Sequence, residues 1–394
     1  MYRSYHKNAK ISRKQFLKLG TAGICSLCLA GVMPAWGKLS AQTAPPSGPE
    51  AGARMGLIKT KQSPWFTNLE QNIIRCELCP HQCELDKGQR SLCRVRENRD
   101  GQGFTLVYGN PALIQEDPVE RKPYMHVLPG SRALSVSTAG CNLECKFCEV
   151  WDMALVDPEE VYAHDLPPED VIRHGQSAGL RSISFAFGEP VIFYEYMREV
   201  AEKARKEGFL TLVHTAGYIR PQPLKELCGV MDAANVDLKS FDPEFYREVV
   251  GGELEPVLKN LKTIKAQGIH LEITNIVIPT LNDDPEGIRE MCKWIQDELG
   301  PDVPLHFARF YPLYQLSGLP RTPVSTLDQA RDIAMEAGLN FVYVSRVTGH
   351  EGENTFCPDC GGKIIDRTGF MIDEINMENG NCAYCGREIP GIWS

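Results

Sequence analysis

One short stretch decides how the whole sequence is interpreted, and it reads Cys141-Asn142-Leu143-Glu144-Cys145-Lys146-Phe147-Cys148. It lies just after the β-rich apolar run 133–137, so we expect a strand that ends in a loop with three close thiols. Thiolates are the usual ligands of iron–sulfur clusters, and a cubane normally takes four of them. Three ligands leave one iron open, and an open metal position is where chemistry takes place. The alternatives for this loop are a zinc knuckle and a disulfide pair.

The composition is that of a globular enzyme. Of the 394 residues, 43% are hydrophobic and 24% are charged. The net charge of −9 gives no reason to expect nucleic acid as the main partner. Eleven of the 15 cysteines fall in three tight groups, at 76–93, 141–148 and 357–385. Such grouping favours metal binding over the disulfide framework of a secreted protein.

The first of these groups lies upstream of the loop, and its members are Cys76, Cys79, Cys83 and Cys93. A Cys-x2-Cys-x3-Cys pattern with a distant fourth cysteine suits either zinc or an auxiliary iron–sulfur cluster. His81 could replace one of the thiolates. Spacing alone does not separate the two metals, and partly paired structural cysteines are a third interpretation.

The last group consists of two Cys-x2-Cys pairs near the C-terminus, and its members are Cys357, Cys360, Cys382 and Cys385. Each pair is followed by a glycine, which lets backbone amides turn toward the sulfurs. This pattern predicts a tetrahedral site with zinc as the first choice and rubredoxin-like iron as the second. Because all four ligands are thiolates and none is left open, the predicted role is structural.

From residue 133 onward, short β-rich runs alternate with amphipathic helical patterns. Strands are predicted at 134–137, 182–187, 209–214, 234–237, 271–277 and 305–310, with a further strand at 341–345. Strand–helix units in such a series indicate a parallel sheet. We therefore predict an α/β fold, a partial (β/α)6 TIM-like barrel with a small N-terminal Cys-rich unit and a C-terminal zinc-ribbon-like unit.

Active residues of barrel-like sheets gather at the C-terminal ends of the strands, and polar residues follow the predicted strands here. Glu189 follows the second strand, and its carboxylate suits an ammonium group. Gly188 beside it lets the backbone approach a ligand closely. Lys239 and Asp237 end the fourth strand, where the lysine could hold a carboxylate and the aspartate could orient the lysine. The alternatives are a surface turn at Glu189 and a surface ion pair of little energetic value.

Six segments carry a closer resemblance, and they are 140–151, 189–196, 235–241, 277–283, 304–310 and the terminal Cys-Gly-x-x-Ile-Pro-Gly-Ile-Trp of 385–393. On these segments the chain resembles the radical S-adenosylmethionine (SAM) enzymes of the AmmeMemoRadiSam system, which are similar to pyruvate formate-lyase activating enzymes. The match spans about residues 70–394. It departs from activating enzymes after the third strand, where they carry an acidic residue and an asparagine and this chain has His214-Thr215-Ala216-Gly217.

The resemblance implies an oxidoreductase with a [4Fe–4S] cluster on Cys141, Cys145 and Cys148, whose open iron binds the amino and carboxylate groups of SAM. One electron then cleaves SAM to methionine and a 5′-deoxyadenosyl radical, which abstracts hydrogen from a substrate. For activating enzymes that substrate is a glycine of a partner protein. The implied partners are a low-potential donor of flavodoxin or ferredoxin type, Memo-like proteins and a protein substrate. The implied cofactor-binding residues are Phe147, Gly188, Glu189, Pro190, Thr215, Asp237 and Lys239.

Two other functions compete with this one. A non-catalytic electron carrier would pass electrons between iron–sulfur clusters held by the three cysteine groups. Each cluster of such a carrier has four protein ligands, whereas the loop at 141–148 supplies only three. A zinc-binding scaffold would have a decayed active site. The presence of Cys141, Cys145 and Cys148, called the triad below, together with Glu189 and Lys239 argues against decay.

The N-terminus carries a segment that we exclude from the fold. Residues 12–18 resemble a twin-arginine (Tat) export signal, with Lys14 in place of the second arginine. The apolar run 19–33 is shorter than the roughly 20 residues of a membrane span and fits a signal peptide. We expect cytoplasmic chemistry with a membrane-tethered or exported form as the alternative. The predicted domains are 1–40 signal or tether, 41–63 linker, 64–125 N-terminal four-cysteine unit, 126–347 radical SAM core and 348–394 C-terminal four-cysteine unit.

Overall fold

The structure is a computed structural model, and it describes residues 52–394. The Tat-like motif, the apolar run after it and the first part of the predicted linker lie outside the described residues. Between residues 52 and 394, no helix is both long enough and apolar enough to cross a membrane.

The central sheet has eight strands, which are β1 Leu113–Pro118, β2 Arg132–Ser137, β3 Ser182–Phe185, β4 Leu210–Thr215, β5 Ala233–Asp237, β6 His270–Val277, β7 Leu305–Arg309 and β8 Val342–Ser345. They lie side by side in chain order. Strands β2 to β8 are parallel, and β1 pairs with β2 in the antiparallel direction at one edge. Chain-order neighbours of this kind bring all carboxyl ends of the parallel strands to one rim.

Six helices of eight or more residues connect the parallel strands, and they are α1 Pro168–Ser177, α2 Tyr194–Lys206, α3 Pro221–Cys228, α4 Leu254–Ala266, α5 Pro285–Leu299 and α6 Val324–Glu336. Two short helices, Trp151–Ala154 and Pro243–Phe245, lie in the same connections. The apolar stripe of α2 is buried at Met197, Val200, Ala201 and Ala204, while its charged residues other than the buried Glu195 lie on the more exposed side. Six strand–helix units followed by a seventh parallel strand confirm the predicted partial (β/α)6 barrel.

Burial along the strands explains where the site lies. The inner parts of β2 to β8 are buried, as a parallel sheet with covered faces requires. Partly exposed polar residues appear at the carboxyl ends, including Asp237 of β5, Arg309 of β7 and Ser345 of β8. The rim is therefore the polar and accessible end of the barrel.

The N-terminal region forms small antiparallel sheets, and here the predicted domain boundaries need correction. Residues 52–63 were predicted as the end of a linker, but Arg54–Met55 pairs with Tyr162–Ala163 and Lys61–Gln62 pairs with Phe104–Thr105. A linker prediction cannot foresee such pairing, because the partner strands are distant in sequence. Strand β1 also belongs to the core sheet although it lies inside the predicted N-terminal unit. The remaining small strands are Phe66–Asn68, Ile74–Cys76, Glu84–Leu85, Arg96–Arg99 and Gln102–Thr105.

The C-terminal unit consists of a three-stranded and a two-stranded antiparallel sheet, and it packs near the amino ends of the barrel strands. Its strands are Thr355–Phe356, Lys363–Thr368, Met371–Ile375, Met377–Glu378 and Asn381–Cys382. Arg367 of this unit donates to the carbonyl of Met125 at 2.8 Å, and Glu272 near the start of β6 accepts from the Met125 amide at 3.0 Å. The unit therefore stabilises the end of the barrel opposite the polar rim.

Candidate active site

The cysteine loop that follows β2 is fixed by backbone hydrogen bonds. The amides of Glu144 and Lys146 donate to the carbonyls of Val250 and Val249, both at 2.9 Å. These carbonyls belong to a single π-helical turn, Tyr246–Val250, after β5. The Asn142 side chain is buried and donates to the carbonyl of Tyr218 at 2.8 Å. The loop is thus held from both sides before any metal binds.

The three thiols of the loop have the chemistry of iron–sulfur ligands. Burial raises the pKa of the Cys148 thiol to about 11, and burial together with neighbouring acidic groups raises the pKa of Cys141 and Cys145. Without a metal they are therefore protonated at neutral pH, so that metal binding must release protons. The Leu143 amide points at the Cys141 sulfur at 3.4 Å, and such hydrogen bonds tune cluster potentials. These residues fit an iron–sulfur cluster.

Glu189 is buried at the rim and is not the residue of a surface turn. It is 5% exposed and forms the N-cap of a short 3-10 helix, Pro190–Phe193. Its carboxylate accepts hydrogen bonds from the Val191 amide at 3.1 Å, from the Thr215 hydroxyl at 2.6 Å and from the Ala216 amide at 2.8 Å. A carboxylate has about four acceptor positions, so Glu189 keeps one for a ligand. Burial nevertheless raises the pKa of this carboxyl group.

Position 188 requires glycine because the backbone there passes close to the side chain of Ser137. A Cβ at this position would lie 2.4 Å from the Ser137 hydroxyl oxygen, to which the Gly188 amide donates at 3.0 Å. The loop after β3 is therefore held against the end of β2, from which the cysteine loop starts. Phe187 immediately before it has a φ of 75°, which is uncommon outside glycine.

Asp237, Lys239 and His214 form one charged group on the rim. The Lys239 ammonium lies 2.9 Å from one oxygen of Asp237, and the His214 Nε2 lies 2.8 Å from the other. The side chains of Lys239 and Asp237 are only 11% and 19% exposed, which excludes the alternative of a surface ion pair. Burial opposes the charged forms, but the charges of Lys239 and His214 hold the pKa of Asp237 well below its usual range.

Phe147 brings the cysteine loop next to this charged group. It is buried, and the centroid of its ring lies 5.6 Å from the Lys239 nitrogen. Although burial opposes the charged form, the Asp237 carboxylate raises the pKa of Lys239. The structure therefore places the triad, Glu189 and Lys239 at the same end of the barrel. Pro190 starts the short helix behind Glu189, and Thr215 acts through Glu189.

Three residues of the site were missed by sequence analysis as functional groups. Ser137 and Asn142 hold the loops that carry Gly188 and the triad, and His214 holds Asp237. The sequence placed His214 at the end of the third strand, among the residues expected to converge on the rim, but assigned it no partner. Its partnership follows from the pairing of β4 with β5, in which His214 lies opposite Asn235.

The C-terminal cysteines converge as a single-ion site. The sulfurs of Cys357, Cys360, Cys382 and Cys385 all lie within 4.8 Å of one another. Cys357 and Cys385 are 3.6 Å apart, and Cys360 and Cys382 are 3.8 Å apart. Tetrahedral zinc with bonds of about 2.3 Å to sulfur separates its ligands by about 3.8 Å. The spacing therefore fits one tetrahedral ion.

Comparison with known proteins decides the family. The family model of the radical SAM superfamily matches residues 135–294. An uncharacterised protein of Methanocaldococcus jannaschii is 37% identical over 331 residues, which are 84% of this chain and 98% of that protein. The chain belongs to the radical SAM superfamily. Pyruvate formate-lyase 1-activating enzyme of Escherichia coli strain K12 is 25% identical over 226 residues, which are 53% of this chain and 91% of that enzyme.

Among solved structures, a radical SAM methyltransferase from Sphaerobacter thermophilus aligns with 14% identity and a TM-score of 0.45. The alignment covers 75% of this chain and 81% of that chain. Membership of the superfamily implies a [4Fe–4S] cluster and SAM, and the matched segment contains the triad, Glu189 and Lys239.

Proposed function

We propose that this chain cleaves SAM reductively at a [4Fe–4S] cluster held by Cys141, Cys145 and Cys148, and that the resulting radical abstracts hydrogen from a substrate. The observation that carries the proposal is that polar residues able to bind SAM lie beside the triad. Three cysteines leave one iron open. Glu189 follows β3, which pairs with the strand before the triad, and Lys239 follows β5, two strands further along the same rim. When bound, the cluster supplies the open iron and the electron that breaks a carbon–sulfur bond of SAM.

The roles of the rim residues follow from their remaining hydrogen-bonding capacity. An ammonium group has three hydrogen-bond donors, and Lys239 donates one of them to Asp237. The others can bind the carboxylate of SAM. Asp237 fixes the direction of Lys239 and is itself fixed by His214. The free acceptor position of Glu189 suits the ammonium of SAM, to which it would make a charge-assisted hydrogen bond.

We further propose that the hydrogen comes from a glycine of a partner protein. The support comes from relatives named as activating enzymes of pyruvate formate-lyase, benzylsuccinate synthase and (2S)-3-sulfopropanediol dehydratase, at 24–27% identity. In this proposal the protein is an oxidoreductase that uses a flavodoxin or ferredoxin as electron donor. The resemblance to the AmmeMemoRadiSam system adds a Memo-like protein as a proposed partner.

The other two cysteine groups are proposed as metal centres that do not bind SAM. The C-terminal thiols have the spacing of a zinc site in which no ligand position is open. The N-terminal thiols hold a second metal centre, zinc or an iron–sulfur cluster. His81 lines the same site, and its Nε2 lies 2.8 Å from the carbonyl of Asn142, which leaves Nδ1 as the ring nitrogen for a metal, so His81 stays an alternative to one of the thiolates.

SAM cleavage is tested by anaerobic reconstitution with iron and sulfide, followed by dithionite and SAM. We expect 5′-deoxyadenosine from the intact protein and none from Cys141→Ala. The matched control is Cys292→Ala, which changes a buried cysteine of α5 that lies outside all three groups. If the intact protein forms no 5′-deoxyadenosine, or if Cys141→Ala forms as much, SAM cleavage is wrong.

The glycine proposal needs a separate experiment. Proteins of the host cell are labelled with α-deuterated glycine, dialysed free of metabolites and added to the reduced enzyme with SAM. Deuterium in the 5′-deoxyadenosine supports a protein glycine as hydrogen donor. Deuterium that arrives only from the labelled small-molecule fraction contradicts it.

A further inference from the structure

The four N-terminal cysteines surround a cavity between their own small sheets and the barrel. Its volume is about 20 Å³, and it is lined by Cys76, Cys79, Cys83 and Cys93 together with Asn142 and Val191 of the barrel. Cys76 and Cys93 are buried, while Cys79 and Cys83 are partly exposed. The four thiols therefore face one shared space at the boundary between the small sheets and the barrel.

The spacing of these thiols differs from that of the C-terminal group. Among residues 52–394, only the C-terminal thiols form a set of three or more cysteine, histidine or acidic ligand atoms within 4.8 Å of one another. A single zinc ion draws its ligands to such distances, whereas the thiolates of a cluster bind different iron atoms. The wider arrangement around the N-terminal cavity therefore favours a cluster.

Arg96 gives a second and independent sign of a ligand in this cavity. It lines the cavity, is 1% exposed, and pairs two of its nitrogens with Glu195 at 2.8 and 3.1 Å. Its Nε is buried and has no hydrogen-bond partner among the described residues. A buried donor without a partner is costly, and a ligand bound in the cavity would supply the acceptor. Cluster sulfurs accept such hydrogen bonds.

The N-terminal group touches the active-site loop on both sides of Cys141. Before it, a Cβ at Gly140 would lie 2.7 Å from the carbonyl oxygen of Cys93, so the two backbones are in contact. After it, the carbonyl of Asn142 is bonded to His81 of the N-terminal group at 2.8 Å. The two cysteine groups are thus connected by one backbone contact and one hydrogen bond.

We propose that Cys76, Cys79, Cys83 and Cys93 hold an iron–sulfur cluster, and that this cluster is the entry point for the electron used at the triad. The presence of the cluster stands alone, whereas its role rests on the proposed SAM cleavage. One electron leaves a low-potential donor protein, which is oxidised by one electron. It passes through the N-terminal centre, which returns to its starting state, and reduces SAM with cleavage of one carbon–sulfur bond.

The cluster is tested in a variant without the triad, Cys141→Ala/Cys145→Ala/Cys148→Ala, purified anaerobically and analysed for iron, zinc and acid-labile sulfide. We expect iron and sulfide in equal amounts and an electron paramagnetic resonance signal after reduction with dithionite. Sulfide is the decisive quantity, because neither zinc nor rubredoxin-like iron contains it. Zinc in place of iron, or iron without sulfide, overturns the proposal.

The role is tested in Cys79→Ser/Cys83→Ser, which changes the two partly exposed ligands, with Cys228→Ala as the control. We expect wild-type 5′-deoxyadenosine formation with dithionite and at least a tenfold slower reaction with reduced flavodoxin. Equal rates with flavodoxin overturn the relay. If the wild type forms none with dithionite, SAM cleavage fails while the sulfide result stands.

Arg96→Lys provides a variant that keeps all thiols and a positive charge beside Glu195. It removes the unpartnered Nε donor, so we expect a more negative midpoint potential of the N-terminal cluster in a redox titration and a slower flavodoxin-driven reaction. An unchanged potential contradicts the contact between Arg96 and the cluster. If the double serine variant loses the iron of the triad, the flavodoxin-driven rate of Arg96→Lys tests the electron relay instead.

Discussion

At the scale of single residues, Gly188 of the active site has little freedom to change. Gly188→Ala places a Cβ 2.4 Å from the Ser137 hydroxyl oxygen, and the backbone on both sides must shift. We expect a loss of about 1–3 kcal/mol in the free energy of unfolding and at least tenfold weaker SAM binding. Urea unfolding and equilibrium binding of SAM measure the two effects.

Two variants show whether the close approach causes that loss. Gly318→Ala should change neither quantity, because no atom lies within 4 Å of its Cβ position and its φ is not positive. Ser137→Ala added to Gly188→Ala removes the oxygen that clashes, and it should restore part of the stability. A double variant no better than Gly188→Ala alone would disprove the steric explanation.

The buried pair of Asp237 and Lys239 gives a pH-dependent prediction. Lys239 and His214 lower the pKa of folded Asp237 below its unfolded value of about 3.9. The stabilisation is therefore present above that pH and is lost as the pH falls through the folded pKa. Asp237→Asn leaves Lys239 buried without its partner, which costs about 3–5 kcal/mol at neutral pH.

Free energies of unfolding at several pH values test this. The difference between the wild type and Asp237→Asn should be constant between about pH 5 and 7 and should shrink below about pH 4. A difference that grows on acidification would show that Asp237 is not held in its charged form.

At the scale of elements, the π-helical turn Tyr246–Val250 positions the cysteine loop. The turn ends at Gly251, which has a φ of 78° and whose Cβ position lies 3.3 Å from the Glu144 amide nitrogen. Gly251→Ala should therefore lose stability through its backbone conformation, by about 1–2 kcal/mol, and should also displace the loop. We expect less iron bound at the triad and an altered cluster signal in electron paramagnetic resonance.

Gly268→Ala is the matched control for this prediction. Gly268 has a φ of 74°, but no atom lies within 4 Å of its Cβ position. It should lose similar stability and keep the iron of the triad. If both variants lose iron equally, the contact between Gly251 and Glu144 does not position the loop.

The same elements show what the sequence could predict. The seven parallel strands and the triad were found because their signals are local, in alternating patterns and in cysteine spacing. The pairing of Arg54–Met55 with Tyr162–Ala163 and the contact between His214 and Asp237 were not found. Both depend on which distant segments become neighbours, and a two-residue strand has no pattern of its own.

At the scale of the whole molecule, the three cysteine groups occupy different places. The triad lies on the rim, the N-terminal group lies beside it, and the C-terminal group packs near the opposite end of the barrel. Removal of the C-terminal metal with a chelator should lower the melting temperature, because Arg367 of that unit bonds to Met125 beneath the barrel. SAM binding should be unchanged at a temperature below the transition. Loss of SAM binding before any loss of structure would contradict a purely structural role.

The most direct test of the central claim is whether SAM binds the open iron of the triad. Electron–nuclear double resonance on the reduced protein can compare SAM carrying ¹⁴N or ¹⁵N in its amino group. We expect a nitrogen coupling that changes with the isotope and is absent from Cys141→Ala. An intact reduced cluster with SAM present but without nitrogen coupling would contradict the account.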